Sequence, residues 1–131
     1  MALERPEPSD VCVLVVDDVD TNRRLIEILM RGEGYDVAIA GTGREALERV
    51  ADRRPDVIIL DLALPDMHGS ALIARLRELG VEIPVLVVSG DTTPPARWAS
   101  LQAAEYLTKP YDVDSLVQAV AKLLESTSQE V

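Results

Sequence analysis

The stretch VCVLVVDD, residues 11–18, is an apolar run rich in β-branched residues that ends in two aspartates. A continuous apolar run of this length is typical of a strand that is buried on both faces of a parallel sheet. Four further runs follow, and segments with helical spacing of apolar residues separate them. Strictly alternating strands and helices predict right-handed crossovers and a parallel sheet that helices cover on both sides. The five expected strands are residues 11–16, 35–40, 56–60, 83–88 and 104–107.

The segments between the expected strands carry helix signals. Asp20 is expected to cap the first helix, and Thr42 and Glu45 have the spacing of a capping box at the second. Between strands four and five, Pro94 and Pro95 remove two backbone donors and bar a regular helix at that point. The sequence therefore predicts five helices, of which the fourth is short or irregular and begins near Pro95.

The length of 131 residues is enough for one domain with a core and too short for two ordinary domains. We expect a flexible N-terminal tail at residues 1–9, one domain at residues 10–125 and a flexible C-terminal tail at residues 126–131. No apolar stretch approaches the roughly 20 residues that a membrane helix needs. Cys12 is the only cysteine and cannot form an internal disulfide, so we expect a cytoplasmic protein without a membrane partner.

The charge balance is acidic, with 23 acidic and 13 basic residues and a formal net charge of −10. Such a balance argues against direct binding of nucleic acid by this domain, because the phosphate backbone would be repelled. It is compatible with a site that binds a cation.

Polar side chains with useful chemistry follow four of the five expected strands. Asp17 and Asp18 follow the first strand, Asp61 the third, Ser89 the fourth and Lys109 the fifth. Because doubly wound sheets bind ligands at the carboxyl ends of their strands, these residues are predicted to share a site. Three neighbouring carboxylates repel one another, and Mg²⁺, or Mn²⁺ as the alternative, relieves that repulsion. With the charge of Lys109 and the hydroxyl of Ser89, the set predicts a pocket for a phosphoryl group.

The same residues belong to an ordered set of motifs along the chain. The motifs are Asp17-Asp18, Asp61 with Leu64-Pro65 and Gly69, Ser89-Gly90, and YLTKP at residues 106–110. This set resembles the receiver domain of two-component response regulators over residues 11–124. The resemblance implies a flavodoxin-like, doubly wound α/β fold with a five-stranded parallel sheet in the order 2-1-3-4-5, flanked by five helices.

The resemblance also implies a role for each residue at the strand ends. Asp61 is the expected phosphoacceptor, and Lys109 is expected to pair with the phosphoryl oxygens. Asp18, Asp61 and the backbone carbonyl of Ala63 are expected to ligate Mg²⁺, with Asp17 acting mainly through water on the metal.

Two further residues are implied to act as a switch. Ser89 is expected to move toward the phosphoryl group, and Tyr106 to follow it inward. The bond between Lys109 and Pro110 is expected to be cis, which an X-Pro bond adopts at modest cost.

The implied function is a phosphorylation-dependent signalling receiver rather than an enzyme with a separate substrate, although it assists its own phosphotransfer and dephosphorylation. The implied partners are a sensor histidine kinase or histidine phosphotransfer protein, and a downstream effector or fused output domain. A phosphorylation-dependent dimer is also compatible with the family. Whether the chain is a stand-alone regulator or a piece of a larger protein stays open, since Asn22-Arg23 resembles receivers that are fused to hybrid kinases.

Two other functions are considered. A haloacid-dehalogenase-like phosphatase also uses an aspartate nucleophile with Mg²⁺, but that family needs a second aspartate where this chain has Ala63. A receiver-like module that never takes phosphate is disfavoured by the presence of Asp18, Asp61 and Lys109. His68, the only histidine, is expected to be a solvent-facing loop residue, and the sequence leaves the role of Trp98 undecided.

Overall fold

The fold is seen in a computed structural model that describes residues 10–90 and 103–128. Five strands and, within these residues, four helices alternate along the chain. The strands are β1 (Cys12–Val16), β2 (Asp36–Ala40), β3 (Val57–Leu60), β4 (Val85–Ser89) and β5 (Glu105–Thr108). The helices are α1 (Asp20–Gly32), α2 (Gly43–Asp52), α3 (Gly69–Glu78) and α4 (Val113–Ser128).

Some expectations fall outside the described residues. They are the N-terminal tail at residues 1–9 and the short helix between β4 and β5, which includes Pro94, Pro95 and Trp98. Helix α4 runs to Ser128, so regular structure continues past residue 126, where the C-terminal tail was expected to begin. None of the helices in the described ranges has the length and apolar character needed to cross a membrane.

The five strands form one parallel sheet in the order β2-β1-β3-β4-β5, as predicted. The strand order reverses at β1, because β2 lies on one side of it and β3 on the other. The register aligns the ends of these strands, since Val16 lies opposite both Ala40 and Leu60. Asp17 and Asp61 therefore leave the sheet side by side at its carboxyl edge.

The core has two halves, one on each face of the sheet, because alternate strand residues point to opposite faces. The α2–α3 cluster lies on one face, and its members include Leu14, Val16, Ala46, Ile58, Leu60, Leu72, Ile73 and Leu76. The α1–α4 cluster lies on the other, and its members include Val13, Val15, Ile26, Met30, Val57, Ile59, Leu116 and Val120. Every residue of β1, β3 and β4 is buried, which explains why these strands read as unbroken apolar runs.

The helix starts agree with the sequence at α2 and differ at α1. Thr42 caps α2 with its side chain, which accepts a hydrogen bond from the Glu45 amide, as predicted. Asp20 was expected to cap α1, and that prediction was wrong. The cap is Val19, which has no capping side chain, and Asp20 is the first helical residue. Its carboxylate instead pairs with Arg23 one turn later.

Candidate functional site

Asp17, Asp61 and Lys109 meet at the carboxyl edge of the sheet, as the sequence predicted. The Lys109 Nζ atom lies 2.7 Å from Asp61 Oδ2 and 3.5 Å from Asp17 Oδ2. The backbone places them, because the Asp61 amide donates to the carbonyl of Val16 at 2.9 Å and the Lys109 amide to that of Ser89 at 3.0 Å. The Lys109–Pro110 bond is cis, which confirms the prediction. One cation therefore bridges two carboxylates from different strands.

Burial sets the electrostatics of this group. Asp17 is 2% exposed and Asp61 8%, whereas the side chain of Lys109 is 25% exposed. Burial raises the pKa of Asp17, since the charged form is costly to desolvate, and the Val19 amide and Lys109 only partly oppose this. Burial lowers the pKa of Lys109, but its hydrogen bond to Asp61 and the charges of both aspartates outweigh burial, so the pKa is raised overall. Lys109 is thus held in its charged form.

The backbone also fixes both carboxylates. The Val19 amide donates to Asp17 Oδ1, and the Ala63 amide donates to Asp61 Oδ1, each at 2.9 Å. Each aspartate therefore turns one oxygen toward its own following loop and the other toward Lys109. Such side-chain bonds to the amide two residues ahead favour a tight turn directly after each strand.

Arg23 is a contributor that the sequence reasoning did not assign. Its Nη1 atom donates to the carbonyl oxygen of Asp17 at 2.9 Å, and its guanidinium pairs with Asp20. Helix α1 is thereby tied to the turn that carries Asp17. The only available signal was the spacing of Asp20 and Arg23, which favours a pair on one helix face.

The two expected switch residues lie on neighbouring strands. Ser89 is the last residue of β4, is 8% exposed and lies opposite Thr108 of β5. Tyr106, two residues earlier on β5, is half-buried and packs against the α2–α3 cluster. Burial raises the pKa of its hydroxyl, so it is neutral at ordinary pH. Both side chains lie where a movement at the carboxyl edge could reach them.

The expected metal ligands are only partly gathered. Asp17 and Asp61 share Lys109, whereas Asp18 and Ala63 are exposed. Among residues 10–90 and 103–128, no three His, Cys, Asp or Glu side chains are grouped closely enough to hold a metal ion as they stand. The donors themselves are carboxylate and carbonyl oxygens, which are the ligand types that Mg²⁺ takes. The residue types therefore fit Mg²⁺, with Asp17 and Asp61 buried and Asp18 exposed.

The β3–α3 loop, residues 61–68, closes on itself beside Asp61. Ala63 and His68 form an antiparallel bridge, and the Gly69 amide donates to the carbonyl of Leu62 at 2.7 Å. His68 is exposed, as expected, but it also caps α3, because its Nδ1 atom accepts a hydrogen bond from the Ser70 amide at 3.1 Å. A Cβ on Gly69 would lie 2.8 Å from Leu62 Cα, so this closure requires glycine.

Comparison with known sequences identifies relatives along most of the chain. A sequence model of the response regulator receiver domain matches residues 13–121. The DNA-binding response regulator MtrA of Mycobacterium leprae is 37% identical over 119 residues, which cover 90% of this chain and 53% of that protein. The transcriptional regulatory protein TrcR of Mycobacterium tuberculosis is 34% identical over 128 residues, which cover 96% of this chain and 50% of that protein. The chain thus spans about half the length of these two relatives.

Solved structures share the same architecture. A CheY-like receiver domain from Methanospirillum hungatei superposes with a TM-score of 0.87 at 25% identity and covers 94% of this chain and all of that one. The receiver domain of a Francisella response regulator gives a TM-score of 0.84 at 29% identity, covering 90% of this chain and 99% of that one. The flavodoxin-like fold and the resemblance inferred from the sequence are both confirmed. This chain therefore belongs to the receiver domain family of two-component response regulators, a family of phosphorylation-dependent signalling domains.

Proposed function

We propose that Asp61 is the phosphoacceptor of this receiver and that Lys109 holds the transferred phosphoryl group. The observation that carries the proposal is the contact of 2.7 Å between Lys109 Nζ and Asp61 Oδ2 at the carboxyl edge of the sheet. A buried carboxylate next to a fixed cation is suited to attack on phosphorus, because the cation stabilises the negative charge that the phosphoryl oxygens bring.

The transfer is a displacement at phosphorus. A carboxylate oxygen of Asp61 supplies the electron pair for the new O–P bond, while the bond from phosphorus to the donor breaks and its electrons leave with the donor. Lys109 then exchanges its contact with Asp61 Oδ2 for one with a phosphoryl oxygen. The Ala63 amide holds Asp61 Oδ1, so the attacking carboxylate keeps one orientation.

Mg²⁺, with Mn²⁺ as the alternative, is the metal that this pocket would hold. Asp18, Asp61 and the carbonyl of Ala63 are the proposed ligands, with Asp17 in support. A bound divalent cation would neutralise charge on the carboxylates and on the phosphoryl oxygens.

Ser89 and Tyr106 are proposed to report the phosphorylated state. The hydroxyl of Ser89 can donate to a phosphoryl oxygen on Asp61, and its displacement leaves space that Tyr106 can enter. Since Ser89 ends β4 and Tyr106 lies on β5, a change at Asp61 would reach the surface around β5.

The proposed partners follow from this chemistry. The phosphoryl donor is the phosphohistidine of a sensor kinase or of a histidine phosphotransfer protein, and the receiver of the signal is an effector protein or a fused output domain. The names of MtrA and TrcR describe DNA-binding and transcriptional regulators. For this domain itself, with a net charge of −10 for the chain, we propose no direct contact with nucleic acid. We place the protein in the cytoplasm and allow for a phosphorylation-dependent dimer.

Labelling with a small phosphodonor tests the proposal. Incubation with acetyl phosphate and Mg²⁺ is expected to add the mass of one phosphoryl group, and hydroxylamine should remove it because an acyl phosphate is labile. The Asp61→Asn variant should stay unlabelled, and the rate at which the wild type loses its label measures self-dephosphorylation. Equal labelling of Asp61→Asn would contradict the assignment, and an unlabelled wild type would favour the receiver-like module that takes no phosphate.

A further inference from the structure

The carboxylate of Asp66 caps a helix to which it does not belong. Asp66 lies at the tip of the β3–α3 loop, yet its Oδ1 atom accepts from the Gly43 amide at 2.8 Å and its Oδ2 atom from the Arg44 amide at 2.9 Å. Gly43 and Arg44 are the first two residues of α2. These two hydrogen bonds lower the pKa of Asp66, so the carboxylate is charged at neutral pH.

The N-terminus of α2 is shared between two caps. Thr42 accepts from the Glu45 amide with its side chain and from the Ala46 amide with its carbonyl oxygen. Asp66 accepts from the two amides before these. The amides of Gly43, Arg44 and Glu45, which have no carbonyl partner within the helix, are therefore all bonded, one by the local cap and two by the loop that follows Asp61.

A second contact joins the same two elements. Met67, next to Asp66, lies so close to α2 that a Cβ on Gly43 would come within 2.5 Å of its Sδ atom. Met67 also packs against the α2–α3 cluster. The loop tip is thus fixed to α2 by two charge-assisted hydrogen bonds and by packing.

The anchored tip of the loop, Asp66 and Met67, lies at the opposite end of the loop from Asp61 and Ala63. At the Asp61 end the Ala63 amide donates to Asp61 Oδ1, and Ala63 also pairs with His68. Because both ends of the residues between Ala63 and Met67 are held, the orientation of the Ala63 peptide depends on where the tip is anchored. Ala63 supplies the N–H that orients Asp61 and, on the following peptide unit, the carbonyl oxygen that is proposed as a metal ligand.

We propose that Asp66 is a positioning residue for phosphotransfer: by capping α2 it anchors the β3–α3 loop and so holds the Ala63 peptide against Asp61. The inference rests on the proposed function of Asp61. It also joins α2 to the site, because a displacement of the α2 N-terminus moves the anchor and hence the loop.

The test compares two cap variants of the same helix. Asp66→Ala removes the cap that comes from the loop, whereas Thr42→Ala removes the local cap and leaves the loop anchored. For each variant the rate of Asp61 labelling is measured across acetyl phosphate concentrations, and the exchange rate of the Ala63 amide is measured by NMR without phosphodonor. Melting temperatures show how far each variant destabilises the protein.

Asp66→Ala is expected to lower the labelling rate at saturating donor by about ten-fold and to speed exchange of the Ala63 amide by about ten-fold. Thr42→Ala should change the labelling rate and the Ala63 exchange rate by less than about two-fold. This should hold even if its melting temperature falls as far as that of Asp66→Ala. Asp66→Asn keeps one acceptor oxygen and should give intermediate values, and it carries the test if Asp66→Ala does not fold.

Labelling and exchange rates that are the same in the two alanine variants would overturn the inference. An unlabelled wild type would count against the proposed function of Asp61 instead. The exchange of the Ala63 amide needs no label, so it decides separately whether Asp66 anchors the loop.

Discussion

Asp17 is the most buried carboxylate among the described residues, and its burial has a cost. The charged form is disfavoured in the folded protein, which is why the pKa of Asp17 is raised above its ordinary value of 3.8. Lys109 offsets this only in part, because its closer partner is Asp61. A buried charge that is incompletely compensated lowers stability.

We therefore expect Asp17→Asn to stabilise the metal-free protein at pH 7 by about 1 kcal/mol. The amide oxygen can still accept from Val19, while the desolvated charge and its repulsion with Asp61 are gone. Urea denaturation measures the difference, and Asp18→Asn, a change at an exposed position, should shift the free energy of unfolding by less than about 0.5 kcal/mol.

The pH dependence of that difference follows from the direction of the shift. Because the folded-state pKa of Asp17 lies above the unfolded value, wild-type stability falls as pH rises through the folded pKa and is recovered below 3.8. The advantage of Asp17→Asn should thus shrink as pH falls toward 4. An Asp17→Asn protein that is less stable than wild type at pH 7 would show that the contact with Lys109 outweighs the desolvation.

Within residues 10–90 and 103–128, Lys109 is the one cation in contact with both buried carboxylates. Lys109→Met keeps the apolar stem, removes the ammonium group and leaves Asp17 and Asp61 without their shared partner. We expect a loss of about 1–3 kcal/mol at pH 7, less than for a fully buried pair because Lys109 is a quarter exposed. Labelling of Asp61 should slow by about 10²-fold, the scale seen when one stabilising donor is removed.

Lys122→Met is the matched control for this change. Lys122 is 75% exposed and contacts Glu105 only at 3.9 Å. Its loss should cost less than about 0.5 kcal/mol and leave labelling unchanged. If both variants behaved alike, Lys109 would have no special electrostatic role.

At the scale of elements, the β3–α3 loop depends on a close approach of two backbones. A Cβ on Gly69 would lie 2.8 Å from Leu62 Cα and 3.2 Å from the carbonyl oxygen of Asp61, both of which are backbone atoms that cannot move aside. Gly69→Ala is therefore expected to destabilise the protein by about 1–3 kcal/mol through overpacking. It should also slow labelling, because the strain acts on Leu62 and on Asp61, the proposed phosphoacceptor.

Gly32→Ala tests the opposite case. Gly32 ends α1, and a Cβ there meets nothing within 4 Å. Alanine is the better helix former, so we expect a gain of up to about 1 kcal/mol. Thermal denaturation of both variants checks the pair, and a Gly69→Ala protein as stable as wild type would mean that the loop relaxes without strain.

The sequence predicted which strands and helices form better than it predicted the residues at which the helices begin. The Thr42 cap and the strand-end residues were readable from local pattern and from the general topology of parallel sheets, whereas the strand order was implied by the resemblance to receiver domains. The cap of α1 was not readable. Asp17 accepts from the Val19 amide, and no pattern favoured this bond over a cap by Asp20.

Asp66 shows a second limit of sequence reasoning. No role was predicted for it, because nothing local in the sequence indicates that its partners are amides 22 and 23 residues away. The grouping of the acids was also only half predictable. Residue spacing places Asp17 and Asp18 together on the chain, but Asp17 is buried directly after β1, whereas Asp18, one residue further into the turn, is exposed.

At the scale of the whole molecule, the chain carries a net negative charge, and carboxylates are also concentrated at the carboxyl edge of the sheet. The net charge is −10, and at the carboxyl edge Asp17 and Asp61 both contact Lys109, while Asp18, the next residue after Asp17, is exposed. Self-repulsion of this kind lowers stability. In the proposed function this loss of stability is the cost of a carboxylate cluster that attracts a divalent cation, and functional sites commonly carry such a cost.

A divalent cation should then stabilise the fold. A ligand that binds only the folded state adds RT ln(1 + [L]/Kd), which is about 1.4 kcal/mol at a ten-fold excess over Kd. For a domain of this size such a gain raises the melting temperature by about 5 °C. Titration with MgCl₂ at constant ionic strength measures it, and EDTA should reverse it.

Two variants show whether the stabilisation comes from this pocket. Asp18→Ala removes a proposed ligand without touching the core, so its melting temperature should not respond to Mg²⁺. Asp17→Asn should have a higher melting temperature than wild type without Mg²⁺ and a smaller rise when Mg²⁺ is added. The variant has already lost part of the repulsion that the cation relieves. Equal gains in wild type and Asp18→Ala would mean that Mg²⁺ acts on the general surface charge and that the carboxyl edge is not its site.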